Sequence, residues 1–163
     1  MKKSLAVLTG LLLSFAFTFP LRIKNRDLAI LEGVKWSGKL TYLDYGSNRQ
    51  VSIPADLMVE AATSETNTWY FRNEYPKEPH VNNVDTIVLK GRGHHINDQR
   101  LLERNKTGGF LRIVTQKRIN DDGVDKIYQY TYLISRSSFS IKKEEKKKGD
   151  AGFIQRHVYE YTR

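Results

Sequence analysis

The chain has 163 residues, which is enough for one domain with a sizeable hydrophobic core and too few for two ordinary domains. It contains no cysteine, which excludes disulfides, thiolate metal sites, a cysteine nucleophile and a lipid-modified cysteine anchor. Its 27 Lys and Arg against 18 Asp and Glu give a net charge of +9, which favours anionic partners.

The first 20 residues have the pattern of a signal peptide. A basic start at residues 1–3 precedes an apolar run at residues 5–19, and the small residues Ser14 and Ala16 predict cleavage near residues 16–20. An uncleaved anchor is the alternative, but the run is shorter than the roughly 20 apolar residues that span a bilayer. We therefore expect one domain over residues 21–163, periplasmic or secreted, with no transmembrane domain after signal removal and with nucleic acid an unlikely partner.

Beyond the signal, a short helix is expected over residues 26–32, where Leu28 and Leu31 have helical spacing and Gly33 follows. From residue 34 onward apolar residues recur at every second position, which is typical of strands with one buried face. Strands are predicted over residues 34–42, 51–59, 67–75, 84–90, 98–103, 110–117, 125–135, 138–145 and 153–161. This pattern indicates an all-β antiparallel meander of about eight to ten strands that closes into a single barrel, with a β-sandwich as the alternative.

Residues 31–40 (LEGVKWSGKL) combine the end of the short helix with a first strand that contains glycine and tryptophan. This segment resembles the start of lipocalin-like (calycin) barrels, although two residues separate Gly33 from Trp36 where lipocalins have one. The resemblance covers about ten residues together with the meander pattern. It implies an up-and-down barrel with a small lipophilic or aromatic ligand in its interior.

Six aromatic residues at strand spacing are candidates for the wall of such a cavity. Aromatic residues with this spacing more often belong to an ordinary core, so both interpretations stay open. The six residues are Trp36, Trp69, Phe71, Tyr128, Tyr130 and Tyr132.

Three histidines are weak candidates for a metal site. His94 and His95 follow two glycines in a loop, but adjacent residues of a strand point to opposite faces, so they converge only if the backbone turns there. His157 lies in the last predicted strand, and some haem-binding barrels related to the calycins bind iron through a histidine near the C-terminus. We expect no metal and no cofactor, with haem as the alternative.

The charged run at residues 142–148 (KKEEKKK) is either a solvated hairpin or a surface that contacts anionic lipid or polysaccharide. No catalytic motif is present, and Asp44, Asp56 and Glu60 would be candidate acids or bases only if they faced the interior. The expected function is therefore non-enzymatic binding of a small lipophilic or aromatic molecule. The alternative is a cell-envelope interaction protein with a filled core and a basic anion-binding surface, and a small barrel enzyme is the third choice.

Overall fold

The computed structural model describes residues 21–163, in which one short helix precedes ten antiparallel strands. The predicted signal peptide lies outside the described residues. The helix is α1 (Asn25–Ala29), and the strands are β1 (Lys35–Asp44), β2 (Arg49–Ala61), β3 (Thr68–Glu74), β4 (Asn83–Lys90), β5 (His95–Ile96), β6 (Gln99–Thr107), β7 (Phe110–Asp121), β8 (Val124–Ile134), β9 (Ser138–Lys147) and β10 (Ile154–Thr162). Among residues 21–163, no helix has the length and apolar character needed to cross a membrane.

Each strand pairs with its neighbours in sequence, and β1 also pairs with β10, so the sheet closes into a barrel. Gly38 lies in this closing seam opposite Tyr161. A Cβ atom at Gly38 would lie 1.9 Å from the backbone oxygen of Glu160, so the close approach of the two strands requires glycine. The predicted all-β antiparallel barrel is confirmed, with ten strands, and the β-sandwich alternative is wrong.

Some of the strands are joined by tight turns that can be recognised in the sequence. Asp122 and Gly123 connect β7 to β8 with φ angles of 51° and 79°, the left-handed conformation that a two-residue hairpin turn requires. The Gly123 N–H also donates a hydrogen bond of 3.1 Å to the Asn120 side chain. These local interactions hold β7 and β8 in their register, in which Asp121 lies opposite Val124.

Inward-pointing side chains form layers across adjacent strands, because β8, β9 and β10 pair in register. The first layer lies at the barrel end beside α1. From that end, the layers on β8, β9 and β10 are Ile134–Phe139–Tyr161, Tyr132–Ile141–Tyr159 and Tyr130–Lys143–His157. The interior therefore changes from apolar to polar along the barrel axis.

The apolar end of the barrel is filled by the hydrophobic core. Trp36 and Phe71 both pack edge-on against Phe139, with ring centroids 6.3 and 6.0 Å apart. Leu31 is fully buried, and its carbonyl oxygen accepts a 2.9 Å hydrogen bond from Trp36 Nε1. The segment that follows α1 is thus part of the core.

The helix α1 and the residues before it cover this end of the barrel. Asp27 accepts two hydrogen bonds of 2.8 Å from the guanidinium of Arg104 on β6. The Ile23 N–H donates to the Gly93 carbonyl at 2.9 Å. The helix ends at Ala29, earlier than the predicted span of residues 26–32, and turns lead from it to β1.

The barrel wall has an opening beside β4. The two-residue strand β5 pairs with β4 only at Leu89 and Lys90, so the described part of the chain provides no second strand next to residues 83–88. The Asn97 side chain spans part of this gap, since it accepts from the Val88 N–H at 2.8 Å and donates to the Thr86 carbonyl at 2.9 Å. The interior is therefore reachable from solvent at this side.

Candidate functional site

A cavity of about 380 Å³ lies inside the barrel, between the apolar core and the opening beside β4. Sites for small molecules usually have volumes of roughly 300–1,000 Å³. The cavity is lined by the aromatic residues Phe71, Tyr130, Tyr132 and Tyr159, the aliphatic residues Ile87 and Ile141, the polar residues Asn73, Asn83, Thr86, Asn97 and Gln99, and the titratable residues Asp85, Lys143 and His157. Its wall thus combines four aromatic rings with eight polar or titratable side chains.

The tyrosines of the cavity are held in the neutral form. Burial raises the pKa of Tyr130 to about 12, and it also raises the pKa of Tyr132 and of Tyr159. The Tyr132 hydroxyl donates to Gln99 Oε1 at 3.3 Å, and the Tyr159 hydroxyl lies 2.8 Å from that of Tyr75. Each of these rings therefore presents an apolar face and an uncharged hydroxyl.

The wall formed by β3 and β4 carries a negative charge. Asn73 donates from its side-chain amide to Asp85 at 3.0 Å and to Asn83 at 2.9 Å. The charge of Asp85 contributes, after burial, to raising the pKa of Tyr130 and of Tyr132 across the cavity. This wall accepts hydrogen bonds and repels anions.

The opposite wall carries the ammonium group of Lys143. Its Nζ lies 4.2 Å from the ring centroid of Tyr128 and 5.8 Å from that of Tyr130. Burial lowers the pKa of Lys143, and the nearby charge of Lys117 lowers it further, whereas Glu145 raises it. Among residues 21–163, no carboxylate forms an ion pair with Lys143 within 4.0 Å.

His157 lies directly opposite Lys143 in the register of β9 and β10. Its ring packs edge-on against Tyr159, with centroids 5.6 Å apart. Burial lowers the pKa of His157 to about 4, and the positive charges of Lys143 and Arg156 contribute to the shift. The imidazole is therefore neutral at physiological pH and has one N–H donor and one acceptor nitrogen.

The six aromatic residues predicted for the interior divide between core and cavity. Trp36 and Trp69 belong to the filled end, with exposed fractions of 0% and 3%. Phe71, Tyr130 and Tyr132 line the cavity. The sixth residue, Tyr128 on β8, lies one layer further from the core, and its ring contacts the ammonium group of Lys143. The two interpretations that the sequence left open thus apply to different members of the set.

The three candidate histidines lie in different parts of the fold. His94 and His95 follow the 3₁₀ turn Gly91–Gly93, whose backbone contacts the segment before α1, whereas His157 lines the cavity. Within residues 21–163, no group of three or more His, Cys, Asp or Glu side chains is arranged to hold a metal ion.

The three carboxylates considered as candidate acids or bases take part in surface interactions. Asp44 accepts from the Ser47 hydroxyl and backbone in the β1–β2 turn. Asp56 pairs with Lys35 at 2.8 Å, and Glu60 pairs with Arg72 at 2.8 Å. These contacts place none of the three in the cavity wall.

Three further residues line the cavity and were not among the predicted site residues: Asp85, Lys143 and Tyr159. One signal could have identified Lys143. It continues the inward alternation of Phe139 and Ile141 along β9, so a charged residue follows two apolar ones on the same face. Strand alternation therefore predicts that some residues of the run at 142–148 face the interior and others face solvent.

A basic groove lies at the end of the barrel where β7 meets β8 and β9. It has a volume of about 580 Å³. One of its lysines, Lys126, pairs with Asp121. Its cationic residues are Arg118, Lys126, Lys146, Lys147 and Lys148. The end of the charged run, Lys146 to Lys148, thus contributes to a positive surface, while Lys143 and Glu145 point into the barrel.

Comparisons with known proteins give no family for this chain. No protein-family model matches it, and no curated protein shows significant sequence similarity to it. Among solved structures, the chain is similar to the crystal structure of Rv2717c from M. tuberculosis, with 11% identity and a TM-score of 0.48 over 85% of this chain and 95% of that one. The functional assignment therefore rests on the geometry of the cavity.

Proposed function

We propose that the barrel binds a small aromatic ligand in its interior cavity and performs no reaction on it. The observation that supports this proposal is a cavity of about 380 Å³ whose wall combines four aromatic rings with polar and titratable side chains. A volume of this size is typical of small-molecule sites, and polar groups in such sites fix the orientation of the ligand. Phe71, Tyr130 and Tyr159 offer flat surfaces on which an aromatic ring can stack.

The proposal includes export and a lipocalin-like mode of action. The basic start and the apolar run within residues 1–20 support export to the periplasm or the exterior. The short helix at one barrel end and the segment at residues 31–40 support a relationship to lipocalin-like carriers. The barrel differs from lipocalins in strand number, since it has ten strands and they have eight.

Haem is a second candidate for the occupant. The observation that favours it is the neutral imidazole of His157 in the cavity wall, because a neutral ring nitrogen can bind iron as an axial ligand. An envelope-interaction role is the alternative to ligand binding, and the groove formed by Arg118 and Lys146–Lys148 supports it.

Binding of the neutral fluorescent dye N-phenylnaphthylamine tests the proposal. We expect its fluorescence to rise on addition of the protein and to saturate at one dye per barrel. Ile141→Trp should abolish this signal, because a larger ring would fill the cavity that Ile141 lines. Ser140→Trp is the matched control, since Ser140 precedes Ile141 on β9 and lines a groove on the outer face.

Native mass spectrometry of the protein purified from its own cell envelope adds an independent measurement. A bound small molecule that is lost on denaturation would support the proposal, and a haem mass with a Soret band would identify haem as the occupant. The interior-ligand proposal is wrong if the dye does not bind and the mass spectrum shows no bound small molecule. If the protein then binds anionic vesicles, the envelope role replaces it. Tyr130→Leu, which removes one aromatic wall, should weaken dye binding even if Ile141→Trp fails to fold.

A further inference from the structure

We infer that the ligand of this cavity is an aromatic acid whose anionic group is bound by Tyr130, Lys143 and His157. This inference rests on the proposed function, since it names the chemical class of the molecule that occupies the same cavity. We call these three residues the donor row. They come from three adjacent strands, and they lie side by side because Lys143 is paired with Tyr130 on one side and with His157 on the other.

All three members of the donor row can donate hydrogen bonds into the cavity that they line. Lys143 brings an ammonium group, which has donors and no acceptor. Tyr130 brings a hydroxyl that stays protonated, and His157 brings a neutral imidazole with one N–H. An oxyanion such as a carboxylate accepts several such bonds at once, and bonds to charged partners are the stronger ones.

The charge of Lys143 is only partly compensated by the protein. A cation that is partly removed from water is costly unless an anion or several hydrogen bonds stabilise it. Its neighbours are the rings of Tyr128 and Tyr130, which contribute only cation–π attraction. The carboxylate that acts on it, Glu145, lies 3.5 Å from the guanidinium of Arg156 and is shared with that cation.

On the side of the donor row, the three cations Lys143, Lys117 and Arg156 outnumber the two carboxylates Asp98 and Glu145. Lys117 lies close enough to lower the pKa of Lys143, and it is itself paired with Asp98 at 3.2 Å. Arg156 acts on His157 from the same side. An anionic group bound between Lys143 and His157 would therefore gain from the surrounding field as well as from direct hydrogen bonds.

Asp85 defines the orientation of the ligand. It lies in the wall formed by β4, accepts a hydrogen bond of 3.0 Å from Asn73, and repels an anionic group from that side. The acidic end of the ligand must then point to the donor row, and its uncharged aromatic body must lie along Phe71, Tyr132 and Tyr159. A hydroxyl or amine at the far end of the ligand would meet the free acceptor capacity of Asp85.

A pair of dyes that differ in one anionic group tests this inference. Anilinonaphthalene sulfonate is N-phenylnaphthylamine with a sulfonate added, so the ratio of their dissociation constants isolates the contribution of the charge. We expect the sulfonate to bind about tenfold more tightly than the neutral dye, as a charge-assisted hydrogen bond in a partly buried site provides. Lys143→Met should reduce this preference to about one, whereas Lys143→Arg should retain most of it.

Lys146→Met is the matched control, because it removes the same charge from the outward face of the same strand. It should leave the preference unchanged. If the neutral dye binds as tightly as the sulfonate, or if Lys143→Met weakens both dyes equally, the acidic ligand class is wrong while aromatic binding stands. If neither dye binds, the proposed function itself fails and the inference fails with it.

Discussion

Lys143 and His157 face each other across the β9–β10 pair, and both side chains line the same cavity. Each is a base that burial makes harder to protonate, and the charge of Lys143 adds to the cost of protonating His157. Of the two side chains, the lysine is therefore the one that carries the proton. The pair is consequently a cation beside a neutral imidazole at physiological pH.

This relationship predicts an unusually acidic histidine. In NMR spectra recorded against pH, the resonance of His157 should titrate with a pKa of about 4, because burial and the charge of Lys143 oppose its protonation. His157→Gln should remove that resonance and so identify it. A midpoint near the ordinary histidine value would show that the imidazole is solvated and does not face the cavity as described.

The imidazole of His157 also makes the free energy of unfolding depend on pH. Because the pKa of His157 is lower in the folded state than in the unfolded state, the unfolded state binds more protons between about pH 6.5 and pH 4. Its contribution to stability is complete above about pH 6.5 and is lost as the pH falls towards 4. Urea denaturation of wild type and His157→Gln should therefore diverge over this interval, with the wild type losing more stability on acidification.

The buried phenols predict an abnormal alkaline titration. Burial raises the pKa of five of the nine tyrosines, which are Tyr128, Tyr130, Tyr132, Tyr159 and Tyr161. Tyrosinate absorbance should therefore remain incomplete at about pH 11 while the barrel is folded. In denaturant all nine should ionise together near pH 10. Complete ionisation of the folded protein by about pH 11 would contradict the described packing of the barrel interior.

The closing seam predicts a strong effect of one methyl group. Gly38→Ala should destabilise the protein by at least about 2 kcal/mol, because its Cβ would overlap the backbone of Glu160 and Tyr161. Gly152→Ala is the matched control, since no atom lies within 4 Å of its Cβ position, and it should change the free energy of unfolding by less than about 0.5 kcal/mol. Equal stabilities of the two variants, measured by urea denaturation, would argue against the β1–β10 register.

The contact between α1 and β6 predicts a second sensitive position. Burial alone raises the pKa of Asp27, but the hydrogen bonds from Arg104 and from the Lys24 N–H outweigh it, so the net shift is downward. The ion pair therefore stabilises the fold above about pH 4, and this contribution is lost as the pH falls through the lowered pKa. Asp27→Asn should cost about 3 kcal/mol at neutral pH, measured by chemical denaturation, because it leaves Arg104 partly buried without its counterion.

Glu60→Gln provides the comparison for that substitution. Glu60 and Arg72 form an ion pair of the same 2.8 Å length, but both side chains are about half exposed. Loss of this ion pair should change the free energy of unfolding by less than about 0.5 kcal/mol, because solvent screens ion pairs at the surface. If the two substitutions cost the same, α1 does not seal the barrel end as described.

Most of the strands could be predicted from the sequence, because each has one buried face and therefore apolar residues at every second position. The predicted starts of β7 and β9 coincide with those observed, at Phe110 and Ser138. The ends differ by a few residues, since strands such as β6 and β7 continue beyond the last apolar residue into polar hairpins. Hydrogen bonding to the neighbouring strand holds those polar residues in an extended conformation. This pairing cannot be recognised from the sequence of a single strand.

The cavity was only partly predictable. Phe71, Tyr130 and Tyr132 were recognisable as inward aromatic residues, but nothing in their spacing separates a cavity wall from the packed core around Trp36 and Trp69. The difference depends on how deep each residue lies along the barrel axis. That depth follows from the register of all ten strands together and from the short β5, which leaves the wall open beside β4.

The class of the fold is encoded in the sequence alone, because alternation and turn chemistry are local properties that each segment carries independently of the others. The closure of the sheet through β1 and β10 is a property of the tertiary structure, since a sandwich would use the same alternation. The position of the site also depends on the tertiary structure. Tyr130, Lys143 and His157 are distant in sequence, and they form one row because hydrogen bonding between three strands aligns them at the same depth.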